Sequence, residues 1–139
     1  MNVLFDASAL FKRYSGEAGV DRVQDLQMQA GRITAAAHCK TQVASALTRQ
    51  WREGLFTDEE YDRILAVIDA DFEELSVMPL SSPVERHAIA VMRLAPLHGM
   101  DALHIGTARA AHVDLFVTAD RRQAAAAQAV GLKTELIEA

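Results

Sequence analysis

The sequence predicts an α/β sandwich whose central sheet is mostly parallel and flanked by helices. Three observations carry that prediction. Short, continuously apolar runs of strand length alternate with longer stretches of helical periodicity, the pattern left by crossover connections. Half of the 139 residues are hydrophobic and 24% are charged, enough apolar material for a sizeable core and too much for a disordered chain. No internal repeat, low-complexity tract or linker interrupts the alternation, so residues 1–139 are expected to form a single domain.

Asn2 to Phe5 has the length and apolar continuity of a strand covered on both faces, and it ends at Asp6. Ser8 is read as the cap of a helix carrying Leu10, Phe11 and Tyr14, broken at Ser15-Gly16. Val20, Val23 and Leu26 mark the inward face of a second helix, and Arg32 to Thr34 a brief strand. Val43, Leu47 and Trp51 recur every fourth position, giving a helix from Lys40 that stops near Gly54. Thr57-Asp58-Glu59-Glu60 is a capping box, opening a helix with Tyr61, Ile64, Leu65, Ile68 and Phe72 on one face. Leu75 to Pro79 reads as a strand. Pro83 starts a helix with Val84, Ala88, Val91 and Leu94 inward, and Pro96 ends it. The segment Asp101 to Ala108 is a small-residue helix suited to close packing on a sheet. Leu115 to Thr118 is a strand, the alanine-rich stretch from Asp120 to Gly131 a helix, and Thr134 to Ile137 a last strand.

The net charge of −5 argues at first against a polyanionic partner, but its distribution softens the argument. Eight of the 19 acids fall between Thr57 and Glu74, and the rest of the chain holds 13 basic and 11 acidic residues. The single cysteine, Cys39, excludes an internal disulfide and a cysteine-pair zinc site. No run approaches the roughly 18 apolar residues of a membrane span, and no secretory signal is recognisable, so a cytoplasmic protein without a membrane partner is expected. Walker and Gly-x-Gly-x-x-Gly motifs are missing. Receiver domains need adjacent acids after the first strand and haloacid-dehalogenase-type phosphatases need Asp-x-Asp, whereas Ala7 and Ser8 follow Asp6.

Ligands of open parallel sheets bind beyond the carboxyl ends of the strands, and that rule selects Asp6, Asp101 and Asp120. Taken singly, Asp101 and Asp120 read equally well as helix caps and Asp6 as a turn residue. As a set, three carboxylates brought together need a cation, and all-oxygen ligation suits Mg²⁺ or Mn²⁺.

Val3-Leu4-Phe5-Asp6-Ala7-Ser8-Ala9-Leu10, then Asp101-Ala102-Leu103-His104, then Val117-Thr118-Ala119-Asp120-Arg121-Arg122 resembles the PIN-domain nucleases, particularly the VapC-like toxins of toxin-antitoxin pairs. Tyr14-Ser15-Gly16-Glu17 is similar to the same family. The resemblance implies a Rossmann-like fold and metal-dependent endoribonuclease activity on an RNA substrate. It also implies a homodimer and a small cognate antitoxin that covers the acidic site. The family carries a further acid, usually glutamate, on the helix before an Ala-Leu pair. Here Lys40-Thr41-Gln42-Val43-Ala44-Ser45-Ala46-Leu47 places Gln42 there, which keeps a carbonyl oxygen but loses a charge and a base. Glu53, about three helical turns on, is no substitute.

On this resemblance Asp6, Asp101 and Asp120 would hold one ion directly or through water, with Gln42 as the fourth catalytic position. Ser8 and Thr118 are candidates to orient the carboxylates, or simply a cap and a strand end. Lys12, Arg13, Lys40, Arg121 and Arg122 accompany the acidic positions as candidate RNA contacts, the alternative being a solvated surface. His104 shares a helix face with Asp101 and reads as a core-edge histidine or a substrate contact. The rival function is a PIN-like module, disabled by Gln42, that binds RNA or protein without cutting.

Overall fold

The computed structural model describes residues 1–138. Its strands are β1 (Asn2–Phe5), β2 (Arg32–Ala36), β3 (Ser76–Met78), β4 (Leu115–Thr118) and β5 (Thr134–Leu136). Its helices are α1 (Ala7–Ser15), α2 (Val20–Gln29), α3 (Cys39–Arg52), α4 (Asp58–Glu73), α5 (Ser82–Leu94), α6 (Gly99–Ala110) and α7 (Arg121–Ala129). The strands form one sheet in the order β3-β2-β1-β4-β5, and every pairing is parallel.

The central strands are covered on both faces, which is why they read as unbroken apolar runs. Side chains alternate across the pleat. Val3, Phe5, Leu115 and Val117 point into a core shared with α1 to α4, including Leu10, Val23, Val43, Leu47 and Phe72. Leu4 and Phe116 enter a second core with Ala88, Val91, Ala102, Ile105 and Ala126 from α5, α6 and α7. The edge strands β3 and β5 are three residues each and only partly buried. β1 pairs with β2 on one side and with β4 on the other, so the strand order reverses between β1 and β4. That reversal opens a crevice at their carboxyl ends, the place where such sheets bind ligands.

The structure adjusts several local expectations. Asp6, not Ser8, caps α1, because its extended backbone places the carboxylate on the Ala9 amide. Val84, Ala88 and Val91 are buried on α5 as expected, but Leu94 is 66% exposed, one residue before the chain turns extended at Ala95. The small residues of α6 make their tightest approach to a helix, α5, rather than to the sheet. A methyl group at Gly106 would stand 2.5 Å from the Val84 carbonyl oxygen and 2.9 Å from the Ala88 amide nitrogen.

Gly106→Ala therefore pits a helix-propensity gain of up to about 1 kcal/mol against overpacking on rigid backbone, and the clash prevails. Urea denaturation is expected to show a net loss of about 1–3 kcal/mol.

Candidate active site

Four helices begin at the carboxyl edge of the sheet, and their first turns carry the polar side chains that the sequence singled out. Asp6 ends β1 and caps α1, Gln42 lies in the first turn of α3, Asp101 in that of α6, and Asp120 caps α7. The positive ends of the helix dipoles offset part of the carboxylate charge.

Asp6 is fully buried. Its Oδ1 accepts from the Ser8 hydroxyl at 2.7 Å and the Ala9 amide at 2.9 Å, and its Oδ2 accepts from the Thr118 hydroxyl at 2.6 Å. Each hydroxyl has one proton to give, and each gives it to Asp6. Ser8 Oγ then accepts from the Ala119 amide at 2.9 Å, and Thr118 Oγ1 from the Asp120 amide at 3.0 Å. With both protons committed, the 3.3 Å approach of the two hydroxyl oxygens is a packing contact. Burial outweighs the downward pull of the three donors and, with a smaller push from the charge of Asp120, holds the Asp6 carboxyl at about 6.

Asp101 is partly buried and accepts from Gln123 Nε2 at 3.2 Å. Desolvation, then the charge of Asp120, raises its pKa against the pull of His98, His38 and Arg122. Asp120 Oδ1 accepts from the Arg122 amide at 2.8 Å. Gln42 Oε1 lies 2.6 Å from His104 Nε2. The His104 ring is 1% exposed, packs 4.3 Å from the His38 ring, and is held neutral by burial, its pKa pushed down to about 3. Cys39 is buried with its thiol pKa raised by desolvation, the setting of an inert packing residue.

These groups border an open cleft of about 450 Å³, lined by Ser8, Lys12, Glu17, Gln42, Arg49, Asp101, His104, Asp120 and Gln123 among others. Asp6 lies beneath the lining rather than in it. Of the expected RNA contacts, Lys12 reaches the cleft with its ammonium 2.8 Å from the Ala18 carbonyl oxygen. Arg122 acts on Asp101 through its charge. Arg121 is exposed, 3.4 Å from Glu138. The structure brings none of Arg13, Lys40, Arg121 and Arg122 to the lining: Arg13 binds Asp71 at 3.1 Å and Gln27, Lys40 binds Asp69 at 2.7 Å, and Arg121 and Arg122 are exposed at the head of α7. Arg49 and Gln123 line the cleft without having been singled out by sequence. Arg49 follows Gln42 by seven residues, two turns on the same face, and Gln123 is the polar exception at the head of an alanine run.

Among the described residues no three His, Cys, Asp or Glu side chains form a ready-made ion cage. The donor set nevertheless fits a hard divalent cation. Mg²⁺ commonly takes one or two protein carboxylates and keeps its waters, and Asp101 and Asp120 are two neighbouring carboxylates on an open cleft.

The PIN domain family model matches residues 3–129, and the chain belongs to that family. Among solved structures, VapC20 of Mycobacterium tuberculosis, described as a sarcin-ricin loop cleaving toxin, matches with a TM-score of 0.70 at 14% identity, covering 94% of this chain and 95% of that one. VapBC2 of Rickettsia felis, solved on a promoter DNA fragment, matches at 0.70 and 10% identity over 99% and 100% of the two chains. A toxin-antitoxin complex from Klebsiella pneumoniae matches at 0.60 and 14% identity over 87% and 88%. These likenesses establish the fold. No curated protein matches the sequence.

The Asp6 environment makes a pH-dependent prediction. A carboxyl raised from 3.8 to about 6 on folding costs stability fully above pH 6, and that cost vanishes below pH 4. In metal-free buffer the stability of Asp6→Asn relative to the parent is expected to improve by about 1–3 kcal/mol between pH 4 and pH 7.5, on top of a pH-independent loss because an amide nitrogen cannot accept from a hydroxyl. Urea midpoints at the two pH values check this; a difference between variant and parent that does not change with pH would contradict it.

Proposed function

We propose that the chain is a divalent-metal-dependent endoribonuclease, acting as the toxin of a toxin-antitoxin pair, with Mg²⁺ or Mn²⁺ as the ion. The observation that carries this reading is the convergence of Asp101 and Asp120 on one open cleft at the sheet's switch point, with Asp6 buried beneath its Ser8. Clustered carboxylates cost energy to assemble, and a bound cation reverses that cost.

Asp101 and Asp120 would hold the ion, with Asp6 supplying further negative charge from beneath. When bound, the ion supplies Lewis acidity that activates water and neutralises charge developing on the phosphodiester. Gln123 holds Asp101 in place through its amide, and Ser8 and Thr118 hold Asp6. Lys12 and Arg49 give the cleft positive charge at its wall, which suits the phosphates of a threaded strand, and Arg122 adds to it from the head of α7. RNA as substrate is supported by the description of the Mycobacterium relative, and a protein antitoxin by that of the Klebsiella complex. A homodimer and a cytoplasmic site of action belong to the same proposal. Consistent with it, no helix among the described residues is long and apolar enough to cross a membrane.

A second reading, a PIN domain that binds RNA or protein without cutting it, is favoured by one observation. The carbonyl oxygen of Gln42 is already engaged by His104, so an ion would have to share it and would meet no charge there.

Cleavage of structured RNAs with Mg²⁺, Mn²⁺ or EDTA separates the two. The nuclease reading expects metal-dependent cutting that falls at least about a hundredfold in Asp101→Asn, in proportion to lost electrostatic stabilisation. An Asp101→Asn variant as active as the parent removes the assigned site. A silent parent beside an active Gln42→Glu supports the binding module.

A further inference from the structure

Resting on the nuclease reading for the class of ligand, we infer that His104 fixes the Gln42 carboxamide with its –NH₂ toward the cleft, as a hydrogen-bond donor to a phosphate oxygen of the RNA.

The inference begins from the imidazole. His104 lies on α6, one helical turn after Asp101, and its ring is almost wholly enclosed. Nε2 is 2.6 Å from Gln42 Oε1, and Nδ1 is buried without any partner among the described residues. A neutral imidazole has one N–H and one lone pair, and only one of its nitrogens has a partner here. Were the proton on Nδ1, a buried N–H would be left with no acceptor, the kind of orphan that native interiors scarcely tolerate. With the proton on Nε2, the orphan is a lone pair, the less costly omission. The doubly protonated ring has a charge and an unpaired N–H together, beside the His38 ring, and burial disfavours it further.

The Nε2–H tautomer therefore donates to Gln42, and the receiving atom must be the carbonyl oxygen. The amide of Gln42 is planar, so once Oε1 turns to His104 the –NH₂ turns the other way. Gln42 borders the cleft, and its nitrogen pairs with no group among the described residues and is not sealed from solvent. A neutral –NH₂ repels a cation and attracts an anionic oxygen. Gln42 is thereby equipped for the phosphate, and the ion is left to Asp101 and Asp120.

Two readouts on the full-length protein test this. Long-range ¹H–¹⁵N correlation spectra at pH 7 are expected to show His104 as the Nε2–H tautomer, with that proton exchanging faster in Gln42→Ala. Calorimetry with Mn²⁺ alone is expected to give Gln42→Ala an affinity within about twofold of the parent, while Asp101→Asn loses tenfold or more. In EDTA, where no cutting occurs, a short single-stranded RNA is expected to bind Gln42→Ala at least threefold more weakly. The inference is overturned by an Nδ1–H tautomer, by a tenfold loss of Mn²⁺ affinity in Gln42→Ala, or by unchanged RNA affinity. A parent protein that binds neither Mn²⁺ nor RNA overturns the nuclease reading and removes phosphate as the target. An Nε2–H tautomer in the same sample would still identify the atom that Gln42 turns to the cleft.

Discussion

Asp6 accepts hydrogen bonds from donors on two strand-to-helix turns, Ser8 and Ala9 after β1 and Thr118 at the end of β4. The same two hydroxyls then accept the amides of Ala119 and Asp120. One buried carboxylate thus welds the turn that starts α1 to the turn that starts α7. Without it, three donors, the Ser8 and Thr118 hydroxyls and the Ala9 amide, would lie at the sheet edge with no common anchor, each costing on the order of 1–3 kcal/mol if left unpaired. The position of Asp120 follows from this anchor, and through Asp120 the electrostatics of Asp101. A site whose central charge is sealed from water is also preorganised, since little reorientation remains when a ligand arrives.

Charge elsewhere in the molecule is divided between structure and function by helix α4. Its acidic surface receives Lys40 on Asp69 and Arg13 on Asp71, and Tyr14 also donates to Asp71 at 2.8 Å. The acid-rich segment therefore occupies bases from α1 and α3 that would otherwise sit free. What remains to face the cleft is a smaller set: Arg49, Lys12 with its ammonium 3.9 Å from the Glu17 carboxylate and, through its field, Arg122. These surface pairs add little stability individually. Their effect is on where positive charge is available.

The alternation of strand and helix was legible in the sequence because the central strands are short and wholly apolar and the helices carry clear faces and caps. Asp6 and Asp120 were legible because a strand end in an open parallel sheet is a predictable place, and Asp101 because it opens a helix after a turn. Other features depend on contacts between distant segments. The partners of Arg13 and Lys40 lie 58 and 29 residues away on α4, so adjacency to Asp6 and Gln42 in the chain said nothing of their direction. Leu94 continues the α5 pattern, yet the helix ends before that face meets a partner. Periodicity could assign His104 to a face but not to Gln42, 62 residues earlier. Gln123 was hidden because a glutamine among alanines is ordinary on a solvated helix; only the fold shows it buried against Asp101.

The bond from Thr118 to Asp6 spans 112 residues of a chain of 139. Sheet pairings of such separation close late, since the entropy of the intervening loop must be surrendered first. A growing polypeptide presents Asp6 112 residues before it presents Thr118. During that interval β1 has β2 as a neighbour and nothing on its other side, and the acidic cleft does not exist. Assembly of the cleft thus waits for the emergence of β4 and Asp120, and a shorter nascent fragment holds Asp6 without the neighbours that make it part of a site.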